Sequence, residues 1–279
     1  MKNNNTESYL LEQYPTRGNK EIIVCVMTGS DGGIKWSRYI AKRFNEAGFS
    51  ACALAYWNYK NLPKMLSSIP VEIVETAVIT LKKQGYKKVC LYGVSKGAEL
   101  SLLSASLFDN IDGVIAVSPS CAVFEGFSAI GYNGHSSWTY QGKELPFISI
   151  SENKINPINM HLGKFGYAFR KRFEIAFERG FSEDNRIKIE NAKCPVLLIS
   201  ASDDSIWQAA EMGDIIIKKL DDILYKYPYK HLVYDTASHV LAPSKGLINK
   251  VFIQERKHPK ECEKSRRKAF DAAVDWVGW

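Results

Sequence analysis

The sequence predicts a doubly wound α/β fold, in which helices cover both faces of a mostly parallel sheet. Short apolar runs alternate along the chain with segments of helical periodicity, and strands that alternate with helices pair in parallel through right-handed crossovers. The composition is that of an ordinary globular protein, with 46% hydrophobic and 24% charged residues. We expect residues 1–279 to form a single domain. Six runs have the length and composition of buried strands: residues 22–28, 50–56, 88–92, 113–118, 195–200 and 231–234.

The helices between these strands are predicted from apolar positions that recur every three or four residues. The first segment ends before Gly48, and glycine is common directly after a helix C-terminus. Pro70 opens the second segment, since proline is tolerated in the first helical turn. The predicted helices are residues 34–47, 70–84, 96–108 and about 262–276.

A serine between two glycines follows the third predicted strand, in the segment Gly93-Val94-Ser95-Lys96-Gly97. A Gly-x-Ser-x-Gly pentapeptide between a strand and a helix holds its serine in a strained turn that exposes the hydroxyl. Its glycines let the strand and the helix approach closely. Ser95 is therefore the predicted nucleophile, and the alternative is an ordinary strand-to-helix turn.

A serine hydroxyl needs a base within hydrogen-bond reach and a carboxylate that orients the base. In this architecture they follow along the chain in the order Ser, Asp, His. Asp203 and Asp204 come directly after the fifth predicted strand, and we prefer Asp204 as the acid, with Asp203 as the alternative. Either aspartate could instead cap the turn that follows. Among the five histidines, His239 lies in a loop after a late strand and is the predicted base.

The oxyanion that develops during acyl transfer needs two backbone donors. One is expected from the residue after the nucleophile, which is Lys96, and the other from a loop after an early strand. That loop is Thr28-Gly29-Ser30-Asp31-Gly32-Gly33, in which we prefer Ser30, with Asp31 next. The same glycines could cradle a phosphate, but the loop lacks the lysine and hydroxyl pattern of a P-loop.

A long segment, residues 121–192, interrupts the alternation of strands and helices and is rich in glycine, asparagine and aromatic residues. Long insertions in compact domains are usually functional. Within it, residues 165–179 have a helical pattern of apolar side chains. We expect this helix to be part of a lid over an acyl pocket or to pack on the body of the domain, and both can hold.

Several other classes of function are not supported by the sequence. The longest apolar runs are too short to cross a bilayer, and residues 1–8 lack a signal-peptide core, which favours a cytoplasmic protein without a membrane span. No cysteine or histidine spacing suits zinc, so we expect neither a metal nor another cofactor. The net charge of +7 is concentrated in residues 255–268, which we interpret as a solvated helix face rather than a nucleic-acid surface.

Together with the serine motif, further segments resemble one family. They are Ala-Leu-Ala-Tyr-Trp-Asn-Tyr at 53–59 with Leu-Pro at 62–63, Asp-Asp-Ser-Ile-Trp at 203–207, Ser-Lys-Gly-Ala-Glu at 95–99 and Tyr-Gln-Gly-Lys-Glu-Leu-Pro at 140–146. Over roughly residues 22–241 the chain resembles the C-terminal catalytic domain of the acyl-CoA thioesterase and bile acid-CoA:amino acid N-acyltransferase family. The resemblance implies an α/β-hydrolase fold of the dienelactone hydrolase type. It places the family's triad on Ser95, Asp204 and His239, in agreement with the strand order.

The resemblance implies a serine hydrolase that cleaves an acyl-CoA thioester, since within the family a serine nucleophile resembles the thioesterases and a cysteine the amino acid transferase. Family members in animals carry an N-terminal β-sandwich domain, whereas residues 1–21 alone precede the first predicted strand here. We therefore expect the contribution of that domain to substrate binding to be missing. Two alternatives use the same triad: a carboxylesterase or dienelactone-type hydrolase on small esters, and acyl transfer to an amine. A non-catalytic binding module is a third, although all three triad residues are present.

Overall fold

The computed structural model describes residues 9–18, 20–128, 131–150, 168–244 and 251–278. Its strands are β1 (Leu10–Tyr14), β2 (Ile22–Met27), β3 (Ser50–Ala55), β4 (Ile69–Pro70), β5 (Lys88–Val94), β6 (Gly113–Val117), β7 (Glu125–Ser128), β8 (Gly131–Ser136), β9 (Trp138–Tyr140), β10 (Lys143–Glu144), β11 (Val196–Ala201) and β12 (Tyr229–Tyr234). Its helices are α1 (Lys35–Glu46), α2 (Glu72–Lys83), α3 (Lys96–Leu107), α4 (Ala168–Gly180), α5 (Ala209–Asp222), α6 (Ile253–Lys257) and α7 (Pro259–Val277).

Within the described residues, seven strands form the central sheet, in the order β1-β3-β2-β5-β6-β11-β12. The neighbours pair in parallel, except that β1 pairs antiparallel with β3 at one edge. The carboxyl ends of β2, β5, β11 and β12 therefore meet at one end of the sheet. The predicted oxyanion loop, nucleophile, acid and base follow these four strands in turn, at the end where open α/β sheets bind ligands.

Helices cover both faces of the sheet and bury apolar side chains against it. On one face, α1 and α7 contribute Phe44 and Phe270, whose rings meet edge to face at 4.8 Å. On the other face, α2, α3 and α5 contribute Val78, Leu100 and Ile216 to a second cluster. Because β5 and β11 are buried on both faces, they read as continuous apolar runs, which is typical of parallel strands.

The predicted α/β class is confirmed by this architecture, and the six predicted strands correspond to β2, β3, β5, β6, β11 and β12. The prediction that Pro70 opens the second helix is wrong. Pro70 instead ends β4, which pairs with β9, and α2 begins at Glu72. The analysis of the sequence also missed β1, α5 and α6.

The interpretation of residues 255–268 as a solvated helix face is wrong for two charged residues. Glu255 is 1% exposed and Arg266 is 8% exposed, and an Arg266 Nη1 donates to Glu255 Oε1. A buried charge needs such a partner, because burial removes its hydration. The burial of this ion pair was not predicted from the sequence, because Lys, Arg and Glu are mostly exposed in proteins.

The described part of residues 121–192 contains the β7–β8 hairpin, β9, β10, α4 and a 3-10 turn at Ile189–Asn191. β9 pairs antiparallel with β10 and in parallel with β4, so the insertion is joined to the segment before α2. The predicted helix 165–179 corresponds to α4, although Phe165 lies outside the described residues. Among the described residues, every helix is too short or too polar to cross a membrane.

Candidate active site

Ser95 lies between β5 and α3 in a left-handed backbone conformation, with φ 58° and ψ −121°. This conformation is strained for a residue with a side chain. The two flanking glycines are needed because a β-carbon on Gly93 would lie 2.2 Å from the Gly97 carbonyl oxygen, and one on Gly97 would lie 2.4 Å from that of Met27. The amide of Ser95 donates to the Val117 carbonyl at 2.9 Å, which fixes the turn to β6.

Three side chains from separate loops meet in a hydrogen-bonded row. The His239 ring places Nε2 at 2.8 Å from Ser95 Oγ and Nδ1 at 2.7 Å from Asp204 Oδ2. All three residues are buried, with exposed fractions of 6% for Ser95, 5% for His239 and 0% for Asp204. With its proton on Nδ1, the imidazole donates to the carboxylate and accepts from the serine hydroxyl. A row of this kind can remove the serine proton during nucleophilic attack.

The two candidate acids have different partners. Asp204 Oδ2 faces His239, while its Oδ1 accepts from the amides of Ile206 at 2.8 Å and Trp207 at 3.4 Å. Asp203 instead accepts hydrogen bonds from Gln254 Nε2 through its carbonyl and its Oδ2. The structure therefore brings Asp204 to the histidine and directs Asp203 toward α6. Asp204 Oδ1 also forms the turn-capping contacts of the alternative role, so the geometry of Asp204 is compatible with both roles.

The predicted oxyanion loop lies directly against the start of α3. A β-carbon on Gly29 would lie 2.7 Å from the amide nitrogen of Lys96, which shows how closely the loop approaches this donor. The loop is held by the two residues that follow β3: Tyr56 Oη donates to the Thr28 carbonyl at 2.6 Å, and Trp57 Nε1 donates to the Gly29 carbonyl at 3.1 Å. Gly29 belongs to the loop predicted from the sequence, but its close approach to the Lys96 amide was not predicted.

The two residues after Gly29 in this loop, Ser30 and Asp31, are exposed as whole residues. The Asp31 carboxyl nevertheless turns back toward the loop, where its Oδ2 accepts from Thr28 Oγ1 at 3.0 Å. Desolvation of the Asp31 carboxyl raises its pKa to about 7, and the Thr28 hydrogen bond only partly opposes this shift. Asp31 is thus a titratable group within the predicted oxyanion loop.

A buried ion pair lies in the first turn of α3, directly after Ser95. Lys96 Nζ donates to both carboxylate oxygens of Glu99, at 2.8 and 2.9 Å, and to the Phe124 carbonyl at 3.2 Å. Burial lowers the pKa of Lys96 and raises that of Glu99, while the attraction between the two charges opposes both shifts. The sequence did not reveal the burial of either residue, since their spacing also suits an exposed helical pair.

Aromatic rings connect the insertion to the acid and the base. Trp207 stacks on Phe124 at 5.8 Å and meets Phe173 of α4 edge to face at 5.6 Å. Its ring also meets His239 edge to face at 5.5 Å. From the same helix, Arg170 Nη1 donates to the Asp204 carbonyl at 3.2 Å. The insertion therefore contacts the loop of Asp204 through Arg170, and through Phe124 and Phe173 it packs on the Trp207 ring that meets His239.

The described residues hold no cluster of three or more His, Cys, Asp or Glu side chains that could bind a metal ion.

Comparison with protein families gives one match, to the family described as BAAT / Acyl-CoA thioester hydrolase C terminal, over residues 69–245. Among curated proteins, the chain is 28% identical to human acyl-coenzyme A thioesterase 1 over 220 residues, which are 78% of this chain and 48% of that protein. It is 26% identical to the mouse peroxisomal succinyl-coenzyme A thioesterase over 239 residues, 83% of this chain and 49% of that protein. The chain spans about half the length of the curated relatives it matches.

Solved structures share the fold at low sequence identity. A protein described as a dienelactone hydrolase from Klebsiella pneumoniae superposes with a TM-score of 0.57 at 12% identity, over 97% of this chain and 98% of that one. A monoacylglycerol lipase from Paleococcus ferrophilus gives a TM-score of 0.54 at 17% identity, over 96% and 97% of the two chains. These similarities show the α/β-hydrolase fold.

Proposed function

The chain belongs to the BAAT / acyl-CoA thioester hydrolase C-terminal family, and on that premise we propose that it hydrolyses acyl-CoA thioesters with Ser95 as nucleophile, His239 as base and Asp204 as orienting acid. The observation that carries the proposal is the hydrogen-bonded row from Ser95 Oγ through the His239 ring to Asp204 Oδ2. Membership of the family supports an acyl-CoA thioester as the substrate, and the hydrogen-bonded row supports nucleophilic attack by Ser95 as the means of cleavage.

In the first half of the reaction, Ser95 Oγ attacks the thioester carbonyl carbon while His239 Nε2 takes the hydroxyl proton. The carbonyl oxygen becomes an oxyanion, stabilised by the amides of Lys96 and Ser30. When the carbon–sulfur bond breaks, the proton on His239 passes to the departing sulfur. A thiolate leaves easily, so this step demands less of His239 than the release of an amine.

In the second half, the acyl group is an ester of Ser95. Water attacks its carbonyl carbon, and His239 Nε2 takes a proton from the water. The tetrahedral intermediate collapses, the proton returns to Ser95 Oγ, and the carboxylic acid departs. Asp204 holds the imidazole in the required tautomer and stabilises its charged form throughout.

We also propose that residues 121–192 cover the acyl side of the site within a single domain. The contacts of Trp207 with Phe124 and Phe173 support this, because the two rings of the insertion pack on Trp207, whose own ring meets that of His239. The same rings exclude water from the triad, which strengthens its electrostatic interactions.

The test is steady-state hydrolysis of acyl-CoAs from acetyl to palmitoyl beside p-nitrophenyl esters of the same acyl groups. We expect a higher kcat/KM for the CoA thioesters and a loss of about 10⁶-fold in Ser95→Ala. Ser182→Ala removes an exposed hydroxyl in the insertion and serves as the matched control, with native activity. Turnover of short esters alone would identify an esterase. An active Ser95→Ala variant would refute the proposed nucleophile.

A further inference from the structure

Two adjacent residues of α6 contact the residues that immediately precede the acid and the base. Gln254 Nε2 donates to the carbonyl of Asp203, and also to its Oδ2 at 3.2 Å. Glu255 Oε1 accepts from Ser238 Oγ at 2.7 Å. Asp203 precedes Asp204, and Ser238 precedes His239. One short helix thus contacts both loops.

The contacts of Glu255 belong to a buried cluster rather than to a mobile surface. Glu255 is 1% exposed, Gln254 5% and Ser238 1%. The charge of Glu255 is balanced by Arg266 of α7. The Glu255 carboxylate should therefore stay bound to Ser238 and Arg266, because leaving a buried charge unpaired costs free energy.

α7 reaches the loop of the base at a second point. Ser265 Oγ donates to the carbonyl of Thr236 at 2.7 Å, three residues before His239. The ring of Phe252, directly before α6, lies 6.2 Å from the ring of His239. The loop is therefore fixed from α6 and α7 at several positions, and from β6 by the hydrogen bond from Ser118 Oγ to the His239 carbonyl at 2.6 Å.

We propose that Gln254 and Glu255 are positioning residues, which set the separation between the loops of Asp204 and His239 and so keep the imidazole in register with Ser95. This inference rests on the proposed function for its kinetic consequence. The α6 residues lie beyond residue 245, where the family match ends, so the contacts are a feature of this chain outside the matched region. A displacement of about 1 Å in a reacting group can lower the rate about 100-fold. The position of the imidazole therefore matters, because His239 must keep its hydrogen bonds to Ser95 and to Asp204 at the same time.

The experiment compares Gln254→Ala, Glu255→Gln and the exposed control Lys257→Ala on the same helix. Two quantities are measured in each folded variant: kcat and KM with an acyl-CoA, and the low-field proton NMR resonance of His239 Nδ1–H, assigned by its loss in His239→Gln. We expect kcat to fall between about 10-fold and 100-fold in the first two variants, with little change in KM. Their Nδ1–H resonance should shift or broaden, while Lys257→Ala keeps both native values.

Ser238→Ala removes the partner of Glu255 and provides a second variant if Glu255→Gln folds poorly. It should lower kcat to a similar extent, and the double variant should lose little more than either single one. A native resonance and native kcat in all the folded variants would overturn the positioning role. If the resonance is lost in Gln254→Ala but native protein does not cleave acyl-CoA, the proposed function is wrong and the positioning role is supported.

Discussion

The Lys96 ammonium lies 2.8 Å from Glu99 Oε1, and the two charged side chains are 5% and 0% exposed directly beside the nucleophile. Glu99 Oε1 also accepts from Trp138 Nε1 at 2.7 Å and from the amide of Phe124 at 3.2 Å. The Glu99 carboxylate thus joins α3, which follows Ser95, to two residues of the insertion. Its removal should affect folding before it affects chemistry.

Glu99→Gln leaves the Lys96 ammonium buried without a countercharge. We expect the free energy of unfolding to fall by about 3–5 kcal/mol, the usual cost of breaking one partner of a buried pair. Urea denaturation at neutral pH measures the loss. The double variant Lys96→Met with Glu99→Gln should recover most of it, since an uncharged pair keeps an acceptor for Trp138 and buries no ammonium.

An exposed ion pair gives the matched comparison. Lys87 and Glu21 lie 2.6 Å apart with both side chains 69% exposed. Lys87→Met should change stability by less than about 1 kcal/mol, because water screens such pairs. Equal losses in Glu99→Gln and Lys87→Met would contradict the structural importance of the buried pair.

Gly29→Ala tests the approach of the oxyanion loop to α3. The added methyl would lie 2.7 Å from the Lys96 amide nitrogen and 3.1 Å from the Val94 carbonyl oxygen, so the loop must shift or cover the donor. We expect kcat to fall by about 10²–10³-fold, the effect of removing one oxyanion donor. Stopped-flow or steady-state hydrolysis measures it.

Gly48→Ala controls for a general effect of replacing glycine. Gly48 has φ +96° with open space around it and lies at the opposite end of the sheet, after α1. The Gly48→Ala variant should have a free energy of unfolding about 1–2 kcal/mol lower, because of backbone strain, and a native kcat. A Gly29→Ala enzyme with native kcat would show that the Lys96 amide is not a donor to the oxyanion.

Asp204→Asn and Asp203→Asn separate the two candidate acids. In Asp204→Asn, the side-chain amide no longer favours the His239 tautomer whose Nε2 accepts from Ser95 Oγ, so kcat should fall by about 10⁴-fold. Asn at 203 keeps its backbone carbonyl for Gln254 and should change kcat little. The opposite order of effects on kcat would exchange the roles of the two residues.

His231, which lies outside the candidate active site, should make the free energy of unfolding depend on pH. Its Nε2 lies 2.8 Å from Ser200 Oγ and its Nδ1 3.0 Å from Asp214 Oδ1. Burial lowers its pKa below the usual value of 6.5, and Asp214 only partly opposes this. As pH falls below about 6.5, His231 therefore becomes protonated in the unfolded chain while it stays neutral in the folded protein. Stability should fall by up to about 1.4 kcal/mol per pH unit.

Urea unfolding of native protein and His231→Gln between about pH 7.5 and 5.5 measures this slope. The difference between the two curves isolates His231, because Asp31, with a pKa of about 7, titrates equally in both and has the opposite sign. His258→Gln replaces an exposed histidine and should leave the slope unchanged. Parallel curves for native protein and His231→Gln would contradict the assignment.

The parts of the fold predicted from sequence carry local signals. β5 and the turn at Ser95 are a continuous apolar run and a short motif, and both are visible within a few residues. Asp204 and His239 required only the order of strands, because a parallel sheet brings strand ends together. α5 was missed although Met212, Ile216 and Leu220 follow its helical period, so a signal was present.

The rest of the site depends on long-range contacts that no local pattern shows. Gln254 and Asp203 are 51 residues apart, and nothing in either segment marks the other as its partner. Burial of Lys96, Glu99 and Arg266 runs against the usual exposure of charged residues. These contacts arise only once the helices are packed around the sheet.

Rapid-quench intact-mass measurement during turnover of an acyl-CoA shows whether Ser95 carries the acyl group during thioester cleavage. We expect a transient adduct with the mass of the acyl group, located by peptide mapping on Ser95 and missing in Ser95→Ala. An adduct on another residue, or continued hydrolysis by Ser95→Ala without any adduct, would contradict it.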